Sequence, residues 1–214
     1  MHEARPAMPY ATLAQQHEAA QLGIWTFLAT EVLFFGGLIL SYVVYRHGYA
    51  ADFAAAARHT RIVIGTGNTA ILLTSSFLVA WAVASAKLNS RNLAGGLLAG
   101  AAALGLLFLG LKGYEYSEEF REHLLPGRSF VFDAAHIRGA QLFFLFYFTA
   151  TALHAVHVAI GIVVLLAIAR RAKQGAYSAT YHAPITVAAL YWHFVDLVWI
   201  FMFALIYLPG RSGG

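Results

Sequence analysis

Long apolar stretches separated by short polar segments dominate this chain. Five stretches are almost free of charge, and each reaches the roughly 20 residues that a helix needs to cross a hydrocarbon core. They are apolar around most of their circumference, so length and lack of charge, rather than helical periodicity, indicate spanning helices. The predicted spans are residues 22–45, 62–86, 93–111, 142–168 and 185–208.

The segments outside the spans complete the predicted organisation. Residues 1–21 are expected to form a cytoplasmic tail or interfacial segment, and residues 209–214 a short C-terminal tail. The stretch from Lys112 to Arg138 is expected to be the only substantial extramembrane loop. The predicted fold class is therefore all-α, a polytopic membrane protein with a bundle of five transmembrane helices. Lys and Arg divide almost evenly between the two sides, so the positive-inside rule selects no orientation.

Composition narrows the chemistry. Apolar residues make up 60% of the chain and charged residues 11%, which identifies lipid as the main solvent. Cysteine is absent, and this excludes disulfides, iron–sulfur clusters and thiolate metal sites. The formal charge of +4 comes from basic residues scattered between the apolar stretches, so no nucleic-acid partner is expected.

Five ionisable residues fall near the centres of their predicted spans, where a charge costs about 3 kcal/mol on insertion scales. They are Glu31, His154, His157, His193 and Asp196. Glu31 has no basic residue in its own span, so burial favours its neutral, protonated form. A neutral carboxyl can hold neighbouring helices together, handle protons or contact a partner subunit, and the sequence leaves these roles open.

The histidines form two spaced pairs with different possible uses. His154 and His157 are three residues apart, as are His193 and Asp196, so each pair is expected to share a helix face. A haem or metal site remains possible, but one helix does not supply the ligand set that a catalytic metal needs. Interhelical hydrogen bonds and contacts with lipid headgroups are the favoured interpretation. In the third span, Gly96 and Gly100 form a GxxxG motif and Ala103 and Gly105 follow it, which predicts a thin helix surface and close helix packing.

Several motifs together resemble the haem-copper oxidase subunit III family. The most specific is Leu190 to Trp199, LYWHFVDLVW, which is similar to the closing signature of that family. Residues 29–35, ATEVLFF, resemble the segment that holds its intramembrane glutamate, and residues 148–158, FTATALHAVHV, resemble its paired-histidine segment. The likeness extends from Leu22 to Leu208 and is closest to the five-span bacterial form, which lacks the first two helices of the seven-span members.

The resemblance implies a non-catalytic third subunit of a terminal oxidase, most similar to cytochrome c oxidase, in the bacterial inner membrane with its N-terminus inside and C-terminus outside. Its expected partners are oxidase subunits I and II, a small subunit IV and phospholipids. Haem and copper are expected in the partner subunits, with no cofactor, metal ligand or catalytic residue on this chain. The implied roles are stabilisation of subunit I, phospholipid binding and support of proton uptake. Glu31 carries over as the proton-handling carboxylate, and the residues carried over as interhelical or lipid contacts are Glu115, His154, His157, His193 and Asp196.

Other functions also fit parts of the pattern. The third subunit of a quinol oxidase and the companion subunit of a nitric oxide reductase share the resemblance. A haem b membrane anchor would use His154 or His157 opposite His193 as axial ligands. A proton-coupled transporter would use Glu31 and Asp196, although neither of their spans contains an interior proline of the kind that breaks transporter helices.

Overall fold

Long helices account for almost all of the regular structure. A computed structural model describes residues 9–127, 129–177 and 181–211. The helices in these ranges are α1 (Leu13–Gly48), α2 (Ala50–His59), α3 (Ile62–Lys87), α4 (Arg91–Arg121), α5 (Ile137–Lys173) and α6 (Ala183–Tyr207). All except α2 are long and apolar enough to cross a membrane, which confirms the predicted five-span class. Residues 1–8 and 212–214 of the two predicted tails lie outside the described ranges.

The spanning helices extend beyond several of the predicted spans. Helix α1 begins at Leu13, where the Thr12 hydroxyl accepts a hydrogen bond from the Gln15 backbone N–H at 3.1 Å, so part of the predicted tail is helical. Helix α4 continues to Arg121, and the predicted loop from Lys112 to Arg138 is therefore too long. At 1.5 Å per residue, α4 is about 46 Å long, so its last turns lie near the membrane interface.

Alternation of direction places the helix ends on two sides of the membrane. Helices α1, α4 and α6 run one way, and α3 and α5 run the other way, because consecutive spans must cross in opposite directions. The ends of α1, α4 and α6, the whole of α2 and the starts of α3 and α5 therefore lie on the side of the C-terminus, here called the C-terminal side.

Helices α3 to α6 form a closed core, and α1 lies at its edge. The most extensive pairings are α3 with α4 and α4 with α5. Within the described residues, α1 contacts α2, α5 and α6 but neither α3 nor α4. Among the side chains of α1 that the structure describes, a narrow stripe formed by Ile24, Leu28, Phe35 and Tyr42 is buried. Much of the remaining membrane-spanning surface of α1 consists of exposed apolar side chains such as Leu33.

Trp192 lies at the centre of the core, between two glycines. A Cβ added to Gly105 of α4 would lie 2.8 Å from the Trp192 ring, and one added to Gly161 of α5 would lie 2.7 Å from it. The indole Nε1 donates to the Ser75 hydroxyl of α3 at 3.0 Å, so one residue of α6 contacts three other helices. On the predicted thin surface, a Cβ on Gly96 would meet nothing within 4 Å and one on Gly100 would lie 3.5 Å from Leu78 of α3, so the closest approach occurs at Gly105, the residue that follows the GxxxG motif.

The C-terminus closes the bundle on the C-terminal side. The Arg211 guanidinium donates to the Arg58 carbonyl at 2.8 Å, and also to the Thr60 hydroxyl and carbonyl. These bonds fix the chain end to the turn between α2 and α3. Burial lowers the pKa of Arg211 and Tyr207 opposes the shift.

Candidate functional site

Glu31 and His157 form a polar contact between α1 and α5. Glu31 Oε2 lies 3.1 Å from His157 Nε2, and the two side chains are 17% and 16% exposed. The sequence placed both residues at one depth but did not pair them. The contact gives the Glu31 carboxyl a partner from another helix, in a place where its own helix offers none.

The hydrogen bonds of His157 leave one ring nitrogen, Nε2, for Glu31. Its Nδ1 donates to the Leu153 carbonyl at 2.8 Å, so Nε2 carries a proton only when the ring is cationic. In the neutral arrangement Glu31 is the acid and donates to Nε2; in the charged arrangement a carboxylate accepts from an imidazolium. In either arrangement the hydrogen bond spans the same 3.1 Å contact.

His154 has a different environment from His157, although the two are only three residues apart. It is fully buried, and neither ring nitrogen has a hydrogen-bond partner among the described residues. Its ring lies 5.1 Å from that of Trp199 and 5.6 Å from that of Phe108, measured between centroids. His154 therefore points into the core, whereas His157 points to α1, and the expected shared face does not bring them to one partner.

His193 and Asp196 lie where α6 packs on α3. His193 Nδ1 is 2.5 Å from the Ser76 hydroxyl, so this histidine makes an interhelical contact. Asp196 is 4% exposed, and neither of its carboxyl oxygens has a hydrogen-bond partner among the described residues. The two residues are thus neighbours on α6, but Asp196 makes no hydrogen bond to His193.

Glu115 belongs to a buried polar cluster that the sequence analysis missed. The Lys112 ammonium donates to Glu115 Oε2 at 2.9 Å, to the Tyr147 hydroxyl at 2.7 Å and to the Tyr207 hydroxyl at 2.9 Å. The Tyr207 hydroxyl donates in turn to Glu115 Oε1 at 2.8 Å. This cluster joins α4, α5 and α6 near the C-terminal side. The spacing of Lys112 and Glu115, three residues apart, is the signal that could have revealed it.

Two apolar grooves flank α1. The larger, about 660 Å³, lies between α1 and α6 and is lined by Trp25, Leu28, Ala29, Val32, Leu33, Leu190, His193, Phe194 and Leu197. The smaller, about 340 Å³, is lined by residues of α1, α5 and α6, including Ile24, Val164 and Tyr191. Both grooves are open to the outer surface of the bundle, one on each side of α1.

No group of three or more His, Asp or Glu side chains that could hold a metal ion occurs in the part of the chain that the structure describes. His157 contacts Glu31, His193 contacts Ser76, and His154 is enclosed by aromatic rings. Among the described residues, Glu31 and His193 thus have partners on other helices, whereas the side chains of His154 and Asp196 make no hydrogen bond.

Comparison with known proteins gives one consistent family. The family model for cytochrome c oxidase subunit III matches residues 10–211. Similar proteins named cytochrome c oxidase subunit 3 come from Thermostichus vulcanus (32% identity, 89% of this chain and 87% of the relative) and Bacillus sp. strain PS3 (32% identity, 99% and 96%). The relative from Drosophila melanogaster is 31% identical over 88% of this chain and 68% of its own length. With five membrane-spanning helices and a match over nearly its whole length, the chain belongs to the cytochrome c oxidase subunit III family.

Proposed function

We propose that this chain serves cytochrome c oxidase in a bacterial inner membrane, with its N-terminus inside, by stabilising subunit I, holding phospholipid and helping to sustain proton uptake. The observation that carries the proposal is the Glu31–His157 pair on a helix that is only lightly packed against its own bundle. Subunit II and a small subunit IV are the further partners that we propose.

The proton-handling role is supported by the chemistry of the pair. Glu31 and His157 share one proton across a contact of 3.1 Å, and each side chain keeps about a sixth of its surface accessible. Such a pair can receive a proton at one atom and release one at the other without creating an unpaired buried charge. Complete burial would have isolated the pair from any donor, so the partial exposure favours exchange with an adjoining subunit or water.

The outer surface of α1 supports the roles in partner and lipid binding. Leu33 is 77% exposed and Trp25 is 60% exposed, so this helix presents a continuous apolar face to its surroundings. The grooves on either side of it, about 660 Å³ and 340 Å³, have walls of the kind that acyl chains require. We propose that phospholipid chains occupy these grooves and that subunit I covers part of the exposed face.

We propose that haem and copper reside in the partner subunits, where they carry the redox chemistry of the complex. The environment of each intramembrane histidine supports this assignment. His157 and His193 already use ring nitrogens in contacts with Glu31 and Ser76, and His154 is packed against Trp199 and Phe108. These arrangements favour interhelical roles over the axial haem ligation that a haem b anchor would need.

The test is Glu31→Gln in the intact oxidase. Gln keeps the shape of the neutral acid but cannot release a proton, so we expect the complex to assemble, to start at a rate close to the native one and to lose activity faster during continuous turnover. Sustained oxygen consumption by the purified complex measures this. Glu18→Gln, an exposed carboxyl on the same helix, is the matched control. An inactivation rate equal to that of the control would contradict the role of Glu31.

A further inference from the structure

A buried carboxyl near the C-terminal side stands apart from Glu31 and has no assigned role. Glu119 of α4 is 4% exposed, and neither of its oxygens makes a hydrogen bond within the described residues. It lies one turn beyond Glu115, beside the Lys112 cluster. Lone buried carboxylates are costly, so the charge state of Glu119 must follow from its neighbours.

The neighbouring cation, Lys112, already uses all three of its N–H donors. Lys112 Nζ has three donors, and they go to Glu115, Tyr147 and Tyr207 at 2.7–2.9 Å. Glu115 receives this ammonium and the Tyr207 hydroxyl, so Lys112 and Glu115 form a neutral pair with complementary hydrogen bonds. A second carboxylate at Glu119 would leave the cluster with a net negative charge that no buried cation balances.

The charged groups around Glu119 also affect whether its carboxyl can be ionised. The charged and titratable groups that act on it are Lys112 and Glu115 from α4, Glu122 just after α4, and Tyr147 from α5. Glu115 and Glu122 repel a carboxylate at this position, whereas Tyr147 and Lys112 favour one, although Lys112 shares its charge with Glu115. The nearby Arg61 is paired with Glu118 at 2.8 Å and Glu122 at 3.4 Å. When two carboxyls share one cation in a low-dielectric site, one of them holds a proton.

We propose that Glu119 is a proton-binding site, a neutral carboxylic acid held beside the Lys112–Glu115 pair that exchanges its proton with water on the C-terminal side. Release transfers the proton to water and leaves a carboxylate; rebinding restores the acid, and no electron moves. The route to the surface is short. Glu118 in the last turn of α4 and Glu122 just after it are partly exposed and form ion pairs with Arg61, and Glu118 also with Arg121.

Infrared spectroscopy of the assembled oxidase tests this site directly. The spectrum of the native complex minus that of the Glu119→Gln complex isolates the absorption of the Glu119 side chain. We expect the C=O stretch of a protonated carboxyl, with a shift to lower frequency after transfer to D₂O. Glu118→Gln is the matched control, because that ion-paired carboxyl should instead yield carboxylate bands. Carboxylate bands from Glu119, or a C=O band that does not shift in D₂O, would overturn the proposal.

The midpoint of thermal inactivation of the assembled oxidase provides a second measurement. Gln reproduces the neutral acid in shape and charge, so Glu119→Gln should leave the midpoint of thermal inactivation nearly unchanged. Glu115→Gln removes the partner of Lys112 and should lower that midpoint clearly. If the Glu119→Gln complex fails to assemble, or if its midpoint of thermal inactivation falls as far as that of Glu115→Gln, an ionised Glu119 is needed and the proposal is wrong. This result does not depend on whether Glu31→Gln changes the rate of inactivation during turnover.

Discussion

At the level of single residues, Glu31 and His157 are joined by one contact between α1 and α5. The Leu153 carbonyl fixes the ring of His157 and leaves Nε2 for the carboxyl. Loss of either member removes the same shared proton position, so the two residues should not contribute independently to sustained turnover.

A double-variant experiment measures this dependence. We expect His157→Phe to speed inactivation during turnover to about the same extent as Glu31→Gln, and the double variant to inactivate no faster than either single variant. Oxygen consumption over time by the purified complexes gives the three rates. If the fold increases in inactivation rate of the two single variants multiply in the double variant, the residues act separately.

The candidate site could be predicted from the sequence in position but not in pairing. An acidic residue without a cation in its span marked Glu31, and the histidines of other spans were expected at the same depth, but no pairing was predicted. The choice between His154 and His157 depends on how α5 is rotated against α1, which spacing alone does not define. Lys112 was missed because it follows the last apolar residue of a predicted span. The helix continues because Glu115 and two tyrosine hydroxyls satisfy the ammonium.

Packing of α4 against α5 and α6 depends on the absence of one side chain. Gly105 has the Trp192 ring on one side and Ile162 on the other, at 2.8 and 3.0 Å from an added Cβ. Because Trp192 is itself fixed by its hydrogen bond to Ser75, it has little freedom to move away.

Gly105→Ala should therefore destabilise the bundle by about 1–3 kcal/mol, the usual cost of overpacking a close-packed core. Gly96→Ala, on the same helix with open space around it, should be neutral or slightly stabilising, because alanine is the better helix former. The midpoint of thermal inactivation of the complex reports both changes. Equal effects of the two substitutions would contradict the packing described at Trp192.

Sequence pattern predicted the long elements well and the short one not at all. Five spans follow from length and apolarity, two properties that lipid imposes directly. Helix α2 was assigned to a loop because its ten residues are too short to span and too mixed to stand out. It forms because Phe53 and Ala57 are buried against the bundle. In addition, Asp52 Oδ1 lies 2.6 Å from Nδ1 of His136, the residue that precedes α5.

For the molecule as a whole, α1 defines an apolar surface that its own bundle leaves uncovered. Its outward face and the groove against α6 are apolar and uncovered. Filling that groove from within should expel whatever occupies it in the native membrane.

Ala29→Trp places an indole in the larger groove, and we expect the purified complex to lose about one bound phospholipid relative to the native complex. Quantitative lipid mass spectrometry of gently purified complexes measures the stoichiometry. Val163→Trp, at an exposed position on α5 that lines neither groove, controls for added bulk. An unchanged lipid count in Ala29→Trp would show that the groove holds no acyl chain.

The edge position of α1 also has a consequence in time. Its polar partner His157 is 126 residues further along the chain, which a ribosome adding ~5–20 residues per second reaches only roughly 6 to 25 s later. Throughout that interval α1 stands in the bilayer without α5 or α6, and Glu31 faces lipid with no imidazole to share its proton. Because an unpaired charge within lipid is costly, Glu31 depends on the docking of α5 for the polar partner that the folded protein provides.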